Sequence, residues 1–297
     1  MTLSMTSETT QASHPAASPR RTGRWSGLSR LWRRPTFGLA VLFLVVLVLV
    51  AIMAPLLAPH DPIAQDLANP IAPFSKEHLL GTDDLGRDVL SRLLWGARPT
   101  IVGSIIAVLT ACLLGLPWGL VAGYVGGWVD IALMRIADAV LVFPGIVLAL
   151  AMVSALGPSL VSTMVAVGFV FSPHLARVVR AGVLTVQYRD YVTITQMFGL
   201  PAHHRVLRHV LPNVMPATMV QLTLMSGFTV LAQTGLNFLG LGVPNPNPSW
   251  GSSVAETFRY IVIDPFSPLV PGLCIVCTVL AIYRVGDELR DLLDVDR

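Results

Sequence analysis

The feature that most constrains this chain is a series of long apolar stretches without a charged side chain. The first runs from Phe37 to Leu57, and no charged residue occurs between Arg34 and Asp61. A helix of about 20 apolar residues is long enough to cross the roughly 30 Å of hydrocarbon in a bilayer. A cleaved signal peptide has a shorter apolar region. Further apolar stretches follow here, so we interpret the first one as a retained membrane helix.

The remaining apolar stretches predict about six membrane helices in all. The stretch from Ala139 to Ala176 contains parts of two, because Gly157 and Pro158 favour a turn between them. The sequence therefore predicts an all-α integral membrane protein with its membrane domain over residues 35–297. The predicted spans are 37–58, 99–124, 130–156, 160–180, 213–238 and 266–285.

Composition and charge support this fold class. Charged residues make up 12% of the 297 residues, which is about half of the roughly 25% found in soluble domains. The formal net charge of +3 is too small to indicate nucleic-acid binding. Residues 1–34 are rich in Ser, Thr, Pro and Arg and predict a disordered basic tail. Arginines in this tail and in the 181–212 loop place both on the cytoplasmic side, so six spans put both termini there.

Sequence motifs that would make the chain an enzyme are missing. It has no G-x-x-x-x-G-K-[ST] loop for nucleotide phosphates and no G-x-S-x-G or H-E-x-x-H arrangement. The centres of the spans also lack the ionisable side chains that ion-coupled transporters use. His203 and His204 are adjacent and would point in different directions on a helix, which argues against a metal site there. We therefore expect no catalytic residue, no metal ligand and no cofactor in this chain.

Three glycines in the second span, Gly115, Gly119 and Gly123, follow each other at four-residue spacing. This spacing places three positions without a side chain on one helix face and allows a neighbouring helix to approach closely. That neighbour is either another helix of this chain or a helix of a partner subunit, and the spacing alone does not separate the two.

The cytoplasmic connection at residues 188–212 predicts a short amphipathic helix, a sharp turn and a second short helix. Gly199 permits a left-handed backbone and Pro201 lacks an N–H, so the first helix ends there. The second helical stretch, over residues 206–210, leads to Pro212 at the membrane edge. Such a unit either docks into another protein or rests on anionic headgroups.

The segment at residues 78–98 predicts an amphipathic helix at the outer interface, before the second span. Leu85, Val89 and Leu93 fall on one stripe, and Asp88 and Arg92 form an i,i+4 pair on a face that is either functional or simply solvated. Farther along the chain, Arg135 and Asp138 predict a second ion pair, at the cytoplasmic start of the third span.

These segments, together with residues 233–251 and 286–294, resemble the second permease subunit of the dipeptide, oligopeptide and nickel ABC importers. The cytoplasmic loop is similar to the EAA loop of such permeases, although Ile194 and Thr195 stand where the family has alanines. The resemblance assigns ATPase coupling to Tyr191, Val192, Thr193, Ile194, Thr195, Gly199, Leu200, Pro201, Arg208 and Pro212. It assigns an outer-interface motif to Gly81, Thr82, Asp83, Gly86, Arg87, Asp88, Ser91, Arg92 and Arg98.

This resemblance implies the type I ABC importer permease fold in a bacterial cytoplasmic membrane. It also implies a second permease subunit, two ATP-binding subunits that bind ATP and Mg, and an extracytoplasmic substrate-binding protein. The expected function is translocation of di- and oligopeptides. Import of nickel or another small solute is the alternative within this class, and a standalone channel or secondary transporter is a weaker alternative outside it.

Overall fold

The computed structural model describes residues 35–295, so the tail predicted at residues 1–34 lies outside the described residues. The described chain is helical, with a short π-helical turn at Val206–Val210 and an isolated β-bridge between Thr82 and Asp88. The helices are α1 (Pro35–Leu57), α2 (Val89–Val125), α3 (Gly127–Val142), α4 (Gly145–Leu156), α5 (Leu160–Val186), α6 (Asp190–Met197), α7 (Ala202–Arg205), α8 (Leu211–Phe238), α9 (Trp250–Phe258) and α10 (Leu269–Val295).

The predicted all-α membrane fold is confirmed. Within residues 35–295, five helical segments are each long and apolar enough to cross a membrane. They are α1, α2, α5, the continuous segment Ala202–Phe238 and most of α10. The helices α3 and α4 satisfy the same criterion only as a pair, which brings the number of spans to six if the pair counts as one.

The segment predicted as the third span, residues 130–156, consists of two helices rather than one. The axes of α3 and α4 are bent by 91° at the break between them. Phe143 at this break has an extended backbone, with φ −76° and ψ 137°, because it precedes Pro144. Pro144 also lacks the N–H that would continue the helix. The residues on both sides of this break are apolar, so the pattern of apolar residues did not indicate it.

The second span is longer than the sequence predicts. α2 begins at Val89 rather than near residue 99, so the expected interfacial helix and the span are one helix. Asp88 caps its first turn, because the carboxylate accepts a hydrogen bond from the N–H of Ser91. The helix then continues through Pro99 and Pro117 to Val125.

The glycine face of α2 packs against α5 of the same chain. A Cβ atom at Gly115 would lie 2.6 Å from the Ser172 carbonyl oxygen, and one at Gly123 would lie 2.8 Å from Val183 Cβ. A Cβ atom at Gly119 would lie similarly close to the Ala176 carbonyl oxygen and to Val179 Cβ. Of the two interpretations left open by the spacing, contact within the chain is therefore the one that the structure shows.

The helix bundle has two ends that differ in construction. At one end, the loops 58–88 and 239–268 meet around α9 and cover the bundle; we call it the capped end. At the other, residues 187–210 carry the short helices α6 and α7, and we call it the short-helix end.

Candidate functional site: the two ends of the bundle

At the capped end, the turn before α2 folds around the carboxylate of Asp83. Its Oδ1 accepts hydrogen bonds from the N–H groups of Leu85 and Arg87, both at 2.9 Å. Its Oδ2 accepts a hydrogen bond from Arg87 Nε at 2.6 Å. Gly86 is required in this turn, because its φ is +73° and a side chain there would collide with the backbone of Asp66. The carboxylate thus organises the turn.

Two arginines converge on a single carboxylate of α9. Arg87 Nη2 and Arg92 Nη2 donate to Glu256 Oε2 at 2.8 and 2.7 Å. The arginine side chains and that of Asp83 are only 2–3% exposed, and that of Glu256 is 14% exposed. This buried network, which we call the arginine clasp (Asp83, Arg87, Arg92 and Glu256), joins the start of α2 to α9.

The structure shows neither the predicted pairing of Asp88 with Arg92 nor a solvated face at this segment. Arg92 pairs with Glu256 and lies 3.6 Å from Asp83, while its Nη1 donates to the carbonyl of Pro62. Asp88 is instead the N-cap of α2 and accepts from the N–H and the hydroxyl of Ser91 at 2.8 and 2.7 Å. Both side chains are buried, and a charge removed from water requires a fixed partner; the fold brings Glu256 to Arg92, and Ser91 and His78 to Asp88.

The remaining outer-motif residues fasten the loops to the bundle. The Thr82 hydroxyl accepts from the Ala72 N–H and donates to the Asn69 carbonyl. Arg98 Nε donates to the Ala51 carbonyl of α1 at 2.6 Å. That carbonyl lacks its usual helical donor because Pro55 stands four residues later. Arg98 therefore ties α1 to α2 at the position where proline interrupts the α1 hydrogen bonds.

Tyr260 lies beside the clasp in the loop after α9. Its side chain is buried, and its hydroxyl has no hydrogen-bond partner among residues 35–295. Burial, together with the carboxylates of Asp83 and Asp84, raises the pKa of Tyr260 above its ordinary value. The phenol therefore stays neutral and adds no charge to the clasp.

At the short-helix end, α6 has one buried contact and a largely exposed apolar surface. Val192 is 3% exposed and packs with Val186, Val210 and Val214 in the core formed by α2, α5 and α8. Three other apolar residues of this segment point outward: Ile194 is 49%, Met197 80% and Phe198 79% exposed, and Tyr191 is 39% exposed.

The helix-turn-helix predicted after α6 is present. Gly199 has φ +73°, and the Leu200 N–H donates to the Thr195 carbonyl at 3.2 Å, which ends the helix. Pro201 follows with an extended backbone and precedes α7. The coupling residues predicted from sequence lie on α6, this turn, the π-helical turn Val206–Val210 and the start of α8: Tyr191, Val192, Thr193, Ile194, Thr195, Gly199, Leu200, Pro201, Arg208 and Pro212.

A second contact holds the short helices to the bundle. The guanidinium of Arg205 in α7 lies 5.7 Å from the ring centroid of Tyr124, near the end of α2. Val192 attaches α6 to the core formed by α2, α5 and α8, and Arg205 attaches α7 to the end of α2.

Two ion pairs join α3 to α5 near this end. Arg180 pairs with Asp130, and Arg177 pairs with Asp138, with N–O distances of 2.5 Å in both. The predicted pairing of Arg135 with Asp138 is therefore wrong. That prediction rested only on the three-residue spacing of Arg135 and Asp138 on one helix, whereas the partner of Asp138 lies on a different helix.

Sequence reasoning missed Glu256, Trp250 and Arg205. Trp250 Nε1 donates to the Leu93 carbonyl at 2.9 Å, and its ring packs where a side chain at Gly96 would collide with it. One signal for Glu256 was available: it is the only acidic residue between Phe238 and Asp264. The partners of these residues are far away in sequence, which is why spacing did not reveal them.

Comparisons with known proteins place these features in a family. Residues 115–296 match the family described as binding-protein-dependent transport system inner membrane components. Residues 25–75 match the N-terminal TM domain of oligopeptide transport permease C.

Two relatives illustrate the similarity. The di/tripeptide transport system permease protein DppC of Pseudomonas aeruginosa is 39% identical over 260 residues, covering 86% of each chain. The dipeptide transport system permease protein DppC of Alkalihalophilus pseudofirmus is 37% identical over 259 residues, covering 86% of this chain and 85% of that protein.

A solved structure shares the fold. It is a chain of the MetNI methionine ABC transporter in an inward-facing form, with a TM-score of 0.55 at 16% identity. The match covers 68% of this chain and 96% of that chain. The helical arrangement is therefore that of an ABC transporter permease.

Proposed function

This chain belongs to the family of binding-protein-dependent transport system inner membrane components, and we propose that it imports di- and oligopeptides as one of two permease subunits of an ATP-driven importer. It is a multi-pass membrane protein, and we place it in the bacterial cytoplasmic membrane. The names of its relatives support peptides as the substrate over nickel, the alternative left open by the sequence.

The observation that carries this proposal is the construction of α6. An exposed apolar surface around Met197 and Phe198 sits on a helix whose Val192 reaches into the bundle core. Exposed apolar side chains in a cluster mark a surface that another protein covers. We infer that an ATP-binding subunit covers it, and that movement of this subunit on binding ATP reaches α2, α5 and α8 through Val192 and Arg205.

Energy is supplied by the partners in this proposal. The sequence has no phosphate-binding loop of the Walker type, so ATP and Mg bind to two separate ATPase subunits. A second permease subunit completes the pathway. Arginine placement puts the short-helix end in the cytoplasm, and the capped end then faces the substrate-binding protein outside.

The first experiment is to purify the tagged chain gently from its own membranes and identify the accompanying proteins. A second permease and ATP-binding subunits are expected, and the associated binding protein is then tested with peptides against nickel. Recovery of the chain alone under several detergents would contradict the importer proposal.

Gly199→Val tests the role of the turn in the same complex. Gly199 has a left-handed backbone and no neighbour within 4 Å of a Cβ, so valine strains the backbone without a clash. Such strain costs on the order of 1–3 kcal/mol and tilts α6 locally. We expect normal membrane insertion, with peptide-stimulated ATP hydrolysis and uptake reduced at least tenfold, because about 1.4 kcal/mol corresponds to a factor of ten.

The matched control is Gly199→Asn, because asparagine tolerates the left-handed region and keeps the turn. It is expected to retain most of the uptake. Wild-type uptake by Gly199→Val would show that the turn is not part of the coupling.

A further inference from the structure

Three side chains with metal-ligating atoms converge at the capped end, outside the arginine clasp. His78 Nδ1 lies 3.0 Å from Asp88 Oδ1, and His60 Nδ1 lies 3.9 Å from the same oxygen. One ligand atom from each of the three residues lies within 4.8 Å of the others. We propose that His60, His78 and Asp88 form a binding site for a divalent transition-metal ion, with Zn²⁺ as the best-suited ion.

The distances fit such an ion. Zinc binds imidazole nitrogen and carboxylate oxygen at about 2.0–2.2 Å, so two ligand atoms of a tetrahedral site are about 3.4 Å apart. The two observed separations lie on either side of this value. The widest separation among the three ligand atoms is up to 4.8 Å, so binding requires the His60 ring to move inward, and its side chain is 42% exposed.

The chemistry of the three ligands selects the class of ion. Two imidazoles and one carboxylate suit zinc and its neighbours, whereas Ca²⁺ and Mg²⁺ take mainly oxygen ligands. Three protein ligands leave the fourth position of a tetrahedral zinc site for water or an incoming group. His60 faces an open cavity of about 490 Å³, also lined by Pro59, Trp95, Asn247 and Pro248, through which that group can reach the ion.

Ser91 forms hydrogen bonds with two of the three proposed ligand residues, Asp88 and His60. Its N–H and hydroxyl donate to Asp88 Oδ2, which leaves Oδ1 for the two imidazoles. Its hydroxyl oxygen also accepts a hydrogen bond from the backbone N–H of His60 at 3.1 Å, which fixes the main chain that carries this imidazole. The Asp88 side chain is 1% exposed, and the rings of His60 and His78 have centroids 4.8 Å apart. Orientation of metal ligands by such neighbouring hydrogen bonds is a general feature of metal sites.

A bound ion would link three segments of the capped end: the chain leaving α1, the loop before the Asp83 turn, and the N-cap of α2. From the sequence we expected no metal ligand, on the ground that His203 and His204 are adjacent. His60, His78 and Asp88 were not part of that prediction, since they lie 18 and 10 residues apart. The folded loop brings them together. The inference does not depend on the proposed transport function.

The test uses the full-length chain in lipid nanodiscs, carrying an affinity tag without histidine and stripped of metal with EDTA. Zn²⁺ is titrated by calorimetry, and Co²⁺ by its visible absorption, which distinguishes tetrahedral from octahedral coordination. We expect one Zn²⁺ per chain and an intense tetrahedral Co²⁺ spectrum. Loss of an orienting neighbour typically lowers metal affinity about 10–100-fold, so we expect the Zn²⁺ affinity of Ser91→Ala to be lower than that of the wild type by a factor in this range.

Two variants remove ligands with little effect on folding. His60→Ala changes a partly exposed side chain, and Asp88→Asn keeps an acceptor suited to an N-cap. Both are expected to weaken Zn²⁺ binding at least as much as Ser91→Ala, by about tenfold or more. The control His203→Ala/His204→Ala, at the opposite end, should bind like the wild type.

Two results would overturn the proposal. One is the absence of saturable Zn²⁺ binding by the wild-type chain. The other is equal binding and an equal Co²⁺ spectrum in the wild type and His60→Ala, which would leave the His78–Asp88 contact as a structural hydrogen bond only.

Discussion

The capped end and the short-helix end of the bundle are held together in different ways. At the capped end, Arg87 and Arg92 are about 3% exposed and have carboxylate partners within the chain. At the short-helix end, Met197 and Phe198 are about 80% exposed, and the segment is attached to the bundle mainly through Val192 and Arg205. The capped end therefore buries a network of charges, whereas the short-helix end carries exposed apolar side chains on a segment with few attachments. Exposed apolar side chains such as Leu67 also occur at the capped end.

This difference in attachment indicates how rigidly each end is held. A buried ion pair that loses one member leaves an unpaired charge in a poorly solvated place, so the clasp holds a single arrangement. An exposed apolar helix gains free energy when another protein covers it. We infer that α9 and the start of α2 behave as one rigid body, whereas the position of α6 depends on what binds to it.

The largest expected effect comes from breaking the clasp. Glu256→Ala leaves Arg87 and Arg92 without the carboxylate that both contact, and removal of one partner from a buried ion pair costs about 3–5 kcal/mol. We expect the free energy of unfolding, measured by denaturant titration in detergent micelles, to fall by about this amount.

The control for this change is Glu77→Ala, an exposed glutamate in the same group of loops. Surface substitutions of this kind usually stay within about 0.5 kcal/mol. Equal stability of the two variants would mean that the capped end is not held by its buried charges.

The sequence predicted the capped end less well than the bundle. Long apolar stretches and the four-residue glycine spacing are local signals, and they correctly indicated a membrane bundle with a close helix contact. The partner of Arg92 is not local: Glu256 lies on a helix that follows a proline-rich loop. Side-chain pairing between distant segments depends on the fold of both loops. Residue spacing alone therefore led to the wrong prediction that Asp88 is the partner of Arg92.

The short-helix end was predicted more closely because its signals are local. Gly199 and Pro201 end α6 by backbone geometry alone, and both residues behave as expected. Arg205 was missed, since its contact with Tyr124 crosses from α7 to α2. The prediction of a coupling role for this end came from the resemblance to a family, because no property of the loop alone distinguishes docking to a protein from contact with lipid headgroups.

An intermediate effect is expected when the anchor of α6 is shortened. Val192→Ala removes two methyl groups from a core site, and buried methyl groups contribute about 0.8 kcal/mol each, with a further cost for the cavity. A loss of about 1–3 kcal/mol is expected on these grounds. Hydrogen exchange is expected to rise at residues 190–197 before it rises in α2 or α5, because α6 has few other buried contacts.

Thr193→Ala, on the exposed side of the same helix, serves as the comparison for Val192→Ala. It removes a hydroxyl that bonds only to the Arg189 carbonyl one turn earlier. If the two variants exchange equally fast over residues 190–197, Val192 is not the anchor that joins α6 to the core.

The smallest effect on stability, and the sharpest separation of the two ends, is expected from Phe198→Ser. The phenylalanine is 79% exposed, so its loss changes the free energy of unfolding by no more than about 0.5 kcal/mol. An aromatic ring is also a typical anchor in a protein interface, where truncation costs about 2 kcal/mol or more of binding free energy. Affinity for the ATP-binding subunit, measured in nanodiscs, should therefore fall about 30-fold while the melting temperature stays the same.

The control is Leu67→Ser, which changes a similarly exposed apolar residue at the capped end and should leave both quantities unchanged. If Phe198→Ser binds the ATPase normally, the exposed face of α6 is not the docking surface; if it melts early instead, the short-helix end is held by its own contacts, as the capped end is.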